Sequence, residues 1–463
     1  MRVLHVLANG PPDVNGYAIR TKMILEHLHE FTDAEVIGLT SPWYPRNEKM
    51  VESHQEKGVT YLRTPHPAQS ESRLPFLLKI ARWVELRHQY HYPKNPEKAL
   101  EMKKKREESG IFGKIIRLPT YLSKIIWKLL EERILIRYFK KRIVEVSKEN
   151  QIELIHAHTP YRVGLPALRA ARKLNIPFIY EMRGMWEETA VANGRWMKNG
   201  PAYKRFRRFE SKVLAKSDRV ICISEALKTE AISRGVKSEN ITVVPNGISP
   251  NLMVNTTTES ELERVRSRLH INQKTTVIGY IGSLREMEGV NQTAESVAEL
   301  HAKGFDVRLF VLTGTSGQEE LRSFCKNLGI GEHSVITGPV SHDQVGGYYD
   351  LIDVFVVSRP STRVTEFVTP LKPFEAMAMG KCVIASDLLA LREIILHGET
   401  GLLYNPESFE NLSTEIEKCI KNPELRNSLG QNARVWVLQH RKWEDLIKET
   451  FDFYQRSLQG GKI

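Results

Sequence analysis

Two apolar patterns alternate along this chain. Short, nearly continuous apolar runs read as buried strands: "RVLHVLA" (2–8), "AEVIGLT" (34–40), "IELIHAH" (152–158), "IPFIYEM" (176–182), "DRVICIS" (218–224) and "ITVVPNG" (241–247). Between them lie stretches of helical period, "AIRTKMILEHLHE" (18–30), "GLPALRAARKLN" (164–175) and "EALKTEAISRG" (225–235). The pattern restarts after "PNGISP". Strands are predicted at "TTVIGYIGS" (275–283), "VRLFVLTG" (307–314), "SVITG" (334–338), "DVFVVS" (353–358) and "CVIAS" (382–386), with helices near 290–303 and 318–328. Such alternation predicts parallel sheets with helices on both faces. The fold class is α/β, with two doubly wound Rossmann-like domains hinged near 246–250. The cleft between two such domains is the expected ligand site, because open α/β sheets bind beyond the carboxyl ends of their strands.

Residues 66–150 fit neither sheet. "RLPFLLKIARWVELRHQY" and "IIRLPTYLSKIIWKLLEERILIRYFKKRIVEV" read as amphipathic basic helices, separated by "EMKKKREES". This changes how the net charge of +12 is read. Residues 73–148 hold 20 Lys and Arg against 8 Asp and Glu, an excess equal to that of the whole chain. A localised basic block points to a local anionic partner, and basic helices with Trp, Phe and Leu suit a membrane interface. A solvated helical lid is the plainer alternative. No nucleic-acid reader motif accompanies the block, so nucleic acid is not an expected partner.

An apolar content of 41% and a charged content of 26% are ordinary for a globular chain. The four cysteines are scattered without a C-x-x-C, which fits a reducing cytoplasm better than a disulfide framework. No apolar run reaches the roughly 18 residues of a membrane span. "MRVLHVLA" reads as a first strand, not a leader. G-x-G-x-x-G after a strand, G-x-x-x-x-G-K-[ST], G-x-S-x-G, H-E-x-x-H and D-x-D are all absent. His156 and His158 share one face of a strand and could ligate a metal, but no nearby Cys or carboxylate completes a set, so no metal is expected.

The densest chemistry lies in "RVTEFVTPLKPFEAMAMGK" (363–381). Pro373 and "FEAMAMG" predict a thin helix with proline first and Gly380 just past its end. Its free N–H groups favour an anion such as a diphosphate, and Lys372 stands beside them. Glu375 in the first turn can accept hydrogen bonds from sugar hydroxyls. A dipole-compensating Glu375 and a solvated Lys372 are the bland readings of each residue alone.

"TPLKPFEAMAMGKCVIASD" followed by "LREIILHGETGLLYNP" resembles the donor-site signature of retaining glycosyltransferase family 4, of the GT-B fold. "NGYAIRTKMILEHL", "IHAHTPYRVGLPALRAARKLNIPFIYEMRGMWEE", "VVPNGI" and "IGYIGSLREMEGV" agree, and the nearest likeness is to bacterial exopolysaccharide-type members. The resemblance implies an acceptor-side domain over 1–247 that carries the insertion at about 66–150. It implies a nucleotide-sugar domain over 248–430. The stretch 431–463 then forms a C-terminal helix, at about 431–458, packed either on its own domain or back on the first.

It further implies hexosyl-type transfer (EC 2.4) from a nucleotide-diphosphate sugar, with retention and without metal or cofactor. The acceptor would be a glycan or lipid-linked hydroxyl, in cell-surface polysaccharide or glycolipid synthesis. A cytoplasmic enzyme, peripheral on the inner face of an anionic membrane, follows. The step would be a front-side displacement assisted by a phosphate oxygen. Gly16 would lie in the phosphate-approaching loop and His158 near the donor sugar. Glu375 would hold ribose, and Glu366 the sugar. Arg183 and Glu187 are acceptor-side or structural candidates.

The chain departs from the family twice. Eight residues separate Glu366 from Glu375 where seven are usual, and Phe367 stands at the expected position. Ser283 and Glu288 stand where many members carry an Arg and a Lys on the diphosphate. Lys372, with Arg363 or Arg285, is expected to replace them. A nucleotide-sugar 2-epimerase on the same fold and a non-catalytic membrane scaffold are the competing readings.

Overall fold

The computed structural model describes residues 1–11, 13, 15–44, 53–67, 110–248, 257–272, 274–341 and 344–459, with backbone alone for 110–125 and 409. The expected helix at 73–90, the charged run 101–109 and the hinge end 249–250 lie outside the described residues.

The first sheet has eight strands: β1 (Arg2–Leu7), β2 (Glu35–Thr40), β3 (Ser53–Glu56), β4 (Val59–Arg63), β5 (Leu154–His158), β6 (Phe178–Met182), β7 (Arg219–Cys222) and β8 (Ile241–Val243). Their order is β3-β4-β2-β1-β5-β6-β7-β8. Strand β3 runs antiparallel to β4, a hairpin that the alternation pattern did not predict. The second sheet has six: β9 (Thr276–Ile281), β10 (Val307–Leu312), β11 (Ser334–Thr337), β12 (Val354–Val357), β13 (Cys382–Ser386) and β14 (Leu402–Tyr404). Strands β9, β10, β12 and β13 are buried along their whole length. Helices on both faces require this, and it explains why they read as continuous apolar runs. The order β11-β10-β9-β12-β13-β14 reverses direction between β9 and β12. That point leaves a crevice at the carboxyl ends of the two strands.

The chain forms two compact units. One comprises Met1–Asp13 and Glu35–Phe178, the other Val14–Ala34 and Ile179–Ile463. In the first unit, the stretch expected as an inserted basic helix is a 40-residue helix, Gly110–Glu149. Its later part is core, not insertion: Leu135, Phe139, Ile143 and Val146 are fully buried, and the helix packs against Tyr161–Leu174. Glu132 accepts from the Tyr161 hydroxyl at 2.7 Å and from Arg162 at 2.9 Å. Arg133, Arg137, Lys141 and Lys148 face outward. Counting charge concealed the apolar stripe, because one helix carries both on opposite faces.

In the second unit, the helix expected at about 431–458 is two helices, Pro423–His440 and Trp443–Gln459. The break is where residues 247–248 cross. Ile248 N–H donates to Arg441 O at 2.8 Å, and a Cβ on Gly247 would stand 2.9 Å from the Trp443 ring. The helix Trp443–Gln459 packs against Gly16–Phe31, with the Arg20 guanidinium 5.4 Å from the Trp443 ring centre.

Candidate functional site

The segment 363–381 forms two short helices. The first, Arg363–Phe367, is capped by Thr362, whose hydroxyl accepts from Thr365 N–H. The second, Lys372–Ala378, starts one residue earlier than expected, with Pro373 in its second position and Leu371 before it, whose side chain makes no cap hydrogen bond. Gly380 follows in the left-handed region at φ +70°, as a helix stop requires. Lys372 Nζ lies 3.0 Å from Glu375 Oε2, and the buried Tyr349 hydroxyl donates to the same oxygen at 3.0 Å. Burial and then Glu375 push the Tyr349 hydroxyl well above its usual range, so it remains a donor. Glu375 is therefore anchored at one oxygen, and Lys372 is half-buried beside it.

Gly16 opens the helix Gly16–Phe31, capped by Asn15, which accepts from Ala18 N–H at 3.0 Å. A Cβ at Gly16 would meet Leu371 at 3.4 Å. The start of this helix thus lies against Leu371, the residue before the helix Lys372–Ala378.

A second group lies at the β9/β12 crevice. Arg285, two residues beyond Ser283 in the loop after β9, donates to Ser283 Oγ at 3.2 Å and to Glu288 Oε1 at 2.8 Å. Arg359, just beyond β12, grips the Glu288 carboxylate with two donors at 3.0 and 3.2 Å, and donates to Val368 O at 3.1 Å. Burial opposes ionisation of Glu288, but Arg359 and then Arg285 outweigh it, and its carboxyl titrates below the ordinary range. Gly289 makes the approach possible. It sits at φ +68°, and a Cβ there would fall 1.7 Å from Ser358 O. The buried Tyr280 hydroxyl donates to Ser283 O at 3.1 Å; burial, then Glu288, raises it above its usual range.

The remaining sequence candidates are held elsewhere. Arg363 pairs with Glu188 at 3.0 Å and with Glu230. Glu187 is fully buried against Arg234 at 2.6 Å. Arg183 pairs with Glu181 at 2.8 Å and donates to Thr21 Oγ1 at 2.7 Å. Glu366 accepts from Leu389 N–H at 2.9 Å and from Ser361 Oγ at 2.8 Å, tying it to the start of the helix Leu389–Arg392.

His158 lies in the first unit at the end of β5, fully buried, with Nε2 3.1 Å from His5 Nδ1. His5 faces His156 across the β1/β5 register. The nitrogens of His5, His156 and His158 lie within 4.8 Å of one another. Tetrahedral ligands about 2.1 Å from one ion stand closer, roughly 3.5 Å apart.

Sequence reasoning missed His5, Tyr349 and Arg359. For Arg359 a signal existed, a cation just past a predicted strand. Its value depends on β12 neighbouring β9, and strand order is not written in a pattern of runs.

Residues 101–252 match the family described as Glycosyltransferase Family 4, and residues 262–436 match Glycosyl transferases group 1. The alpha-monoglucosyldiacylglycerol synthase of Streptococcus pneumoniae is 26% identical over 343 residues, covering 73% of this chain and 74% of that one. An uncharacterized glycosyltransferase of Methanocaldococcus jannaschii is 24% identical over 245 residues, or 52% of this chain, and the chain spans only 61% of that relative's length. HepE of Anabaena, solved in complex with UDP, superposes with a TM-score of 0.64 at 15% identity, over 98% of this chain and 100% of that one. With both of its halves matched in this way and its two sheets arranged alike, the chain belongs to glycosyltransferase family 4, the group 1 glycosyltransferases, and has the GT-B fold.

Proposed function

We propose that the protein is a retaining, metal-independent transferase that moves a sugar from a nucleotide-diphosphate sugar to a hydroxyl of a glycan or lipid-linked acceptor. One observation carries this reading. The half-exposed cation Arg285 stands just beyond β9, at the crevice of the second sheet where α/β sheets bind ligands, and the same unit holds a second half-exposed cation, Lys372, beside the anchored carboxylate Glu375. Lys372, Arg285 and the helix starts at Gly16 and Lys372 take the diphosphate. Their charge meets the negative charge that builds on the leaving group, which is the largest electrostatic demand of the reaction. Glu375 takes the ribose hydroxyls. Arg363 has no part in this, because its guanidinium is committed to Glu188 and Glu230. Glu366 is assigned to the donor sugar, and Arg183 and Glu187, each buried in an ion pair, to shaping the acceptor side.

A nucleoside-diphosphate donor is supported by HepE, whose structure holds UDP, and a lipid-linked acceptor by the Streptococcus synthase, which is named for a glycolipid. Among the described residues no helix is long and apolar enough to cross a membrane. The outward cations of the helix Gly110–Glu149 support peripheral contact with an anionic, cytoplasmic membrane face.

A thermal-shift screen of nucleotide-diphosphate sugars tests the reading, since a ligand of the folded state raises Tm. One or more donors are expected to stabilise the protein and to yield a glycosylated product that forms equally well in EDTA. Lys372→Ala should weaken that donor about tenfold or more, as loss of a charge-assisted contact does. Epimerised free nucleotide sugar in place of product would replace this reading with the epimerase.

A further inference from the structure

The family's two diphosphate cations are missing here, at Ser283 and Glu288, and the loss is not random. Both replacement side chains hold the same third residue. Ser283 Oγ accepts from Arg285 Nε at 3.2 Å, and Glu288 Oε1 accepts from Arg285 Nη2 at 2.8 Å. Glu288 would be an odd residue to bury beside a diphosphate, since like charges in a crevice repel. Arg359 answers that charge. Its guanidinium is almost wholly buried, grips both Glu288 oxygens and is tied through its third nitrogen to Val368 O. Arg285, by contrast, keeps 53% of its side chain exposed. Two guanidiniums against one carboxylate leave one positive charge, and it resides on the arginine that solvent can reach.

We propose that Arg285 is the diphosphate-binding cation of the β9/β12 crevice, that Ser283 and Glu288 aim it, and that Arg359 is the positioning residue that cancels the Glu288 charge. This rests on the donor reading above and adds to it a relocated cation site with a built-in counter-charge. Arg359 touches no substrate. It acts through Glu288, and its delivery across the β9/β12 boundary depends on Gly289, the residue that lets the loop lie against Ser358 O. The arrangement makes a particular demand. Because the residues act through charge, the effect of changing them must scale with the phosphates of the ligand and fade with salt.

The test uses the full-length protein. Dissociation constants are measured calorimetrically for UDP, GDP and ADP, each against its own nucleoside, at low and high salt. Arg285→Ala is expected to weaken the preferred diphosphate about tenfold and to leave the nucleoside within about twofold, and Arg285→Lys to recover part of the loss. Arg359→Met leaves Arg285 as the sole counter-charge of Glu288, so the crevice loses its surplus positive charge, and the variant is expected to bind the diphosphate about tenfold or more weakly, most of all at low salt. The double variant Glu288→Met/Arg359→Met removes both charges and is expected to bind the diphosphate better than Arg359→Met alone, because the repelling carboxylate has gone.

Equal losses for diphosphate and nucleoside in Arg285→Ala would overturn the proposal, and so would a double variant no better than Arg359→Met. Should Arg359→Met fail to melt cooperatively, the Arg285 series decides alone, since that half-exposed side chain can be removed without touching the core. If the wild-type protein binds none of the three diphosphates, the donor reading itself fails. If it binds one and the Arg285 variants bind it equally well, only the relocated cation fails.

Discussion

Two clusters of ionised side chains in the second unit differ in their balance. Around Glu187, Glu188 and Glu230, three carboxylates meet three guanidiniums, those of Arg207, Arg234 and Arg363. At the β9/β12 crevice one carboxylate, Glu288, meets two, those of Arg285 and Arg359. The first cluster is closed: each charge has its opposite, and the carboxylates are buried. The second is open by one positive charge, carried by an exposed arginine. The difference teaches how to sort arginines that look alike in a sequence. Arg285 and Arg363 are both plausible diphosphate ligands by position, and only the balance around each separates the one that can take an anion from the one that fastens helices together.

The sharpest way to break the contrast is to open the closed cluster. Arg234→Ala leaves Glu187 buried without its nearest cation and is expected to cost about 3–5 kcal/mol in urea unfolding, with diphosphate affinity of the folded protein unchanged. An affinity loss matching the stability loss would mean that the closed cluster also serves binding. Next in size is Gly289→Ala. The added Cβ meets Ser358 O in a backbone conformation that alanine resists, and a loss of about 2–3 kcal/mol is expected in the same melts, together with weaker diphosphate binding as Glu288 is displaced from Arg359. Full affinity in that variant would uncouple the loop from the crevice.

Acid offers a milder probe. Glu230, like Glu288, titrates low: burial opposes its ionisation, and Arg234 leads the cations that outweigh it. A carboxyl depressed in the folded state contributes stability above its unfolded value of about 4.3, and loses it as pH falls through the folded value. Stability should therefore fall as the solution is acidified below that range, and Glu288→Gln should flatten part of the slope in pH-dependent melts. An unchanged slope would show that Glu288 titrates alike folded and unfolded. The smallest effect expected is the most diagnostic. Arg285→Ala should change unfolding free energy by no more than about 0.5 kcal/mol, because a half-exposed pair contributes little to stability. A large loss would mark Arg285 as a structural residue after all.

Much of the fold was legible. Strands β1, β2 and β5 to β13 fell within predicted runs, because a strand covered on both faces must be apolar throughout. The hairpin β3–β4 was not legible: "SHQE" alternates with solvent and has no apolar run to announce it. The helix Gly110–Glu149 was seen as a helix and misplaced as an insertion, since the charges along it masked the apolar stripe that fixes it in the core. In the site, the Lys372–Glu375 start and the Gly380 stop were readable from local chemistry. Arg359 was not, nor was the His5–His158 contact, because Arg359 lies 71 positions along the chain from Glu288 and the two histidines lie 153 positions apart.

The sequence by itself determined the α/β alternation, the short helix around Pro373 and Glu375, the family and the fact that two customary cations are absent. Those are properties of neighbouring residues, set by period, capping and residue type. Only the tertiary structure decided which cation stands in their place. That choice depends on β12 lying beside β9, on a glycine that lets their loops touch, and on burial, which makes each charge answer to the few others within reach.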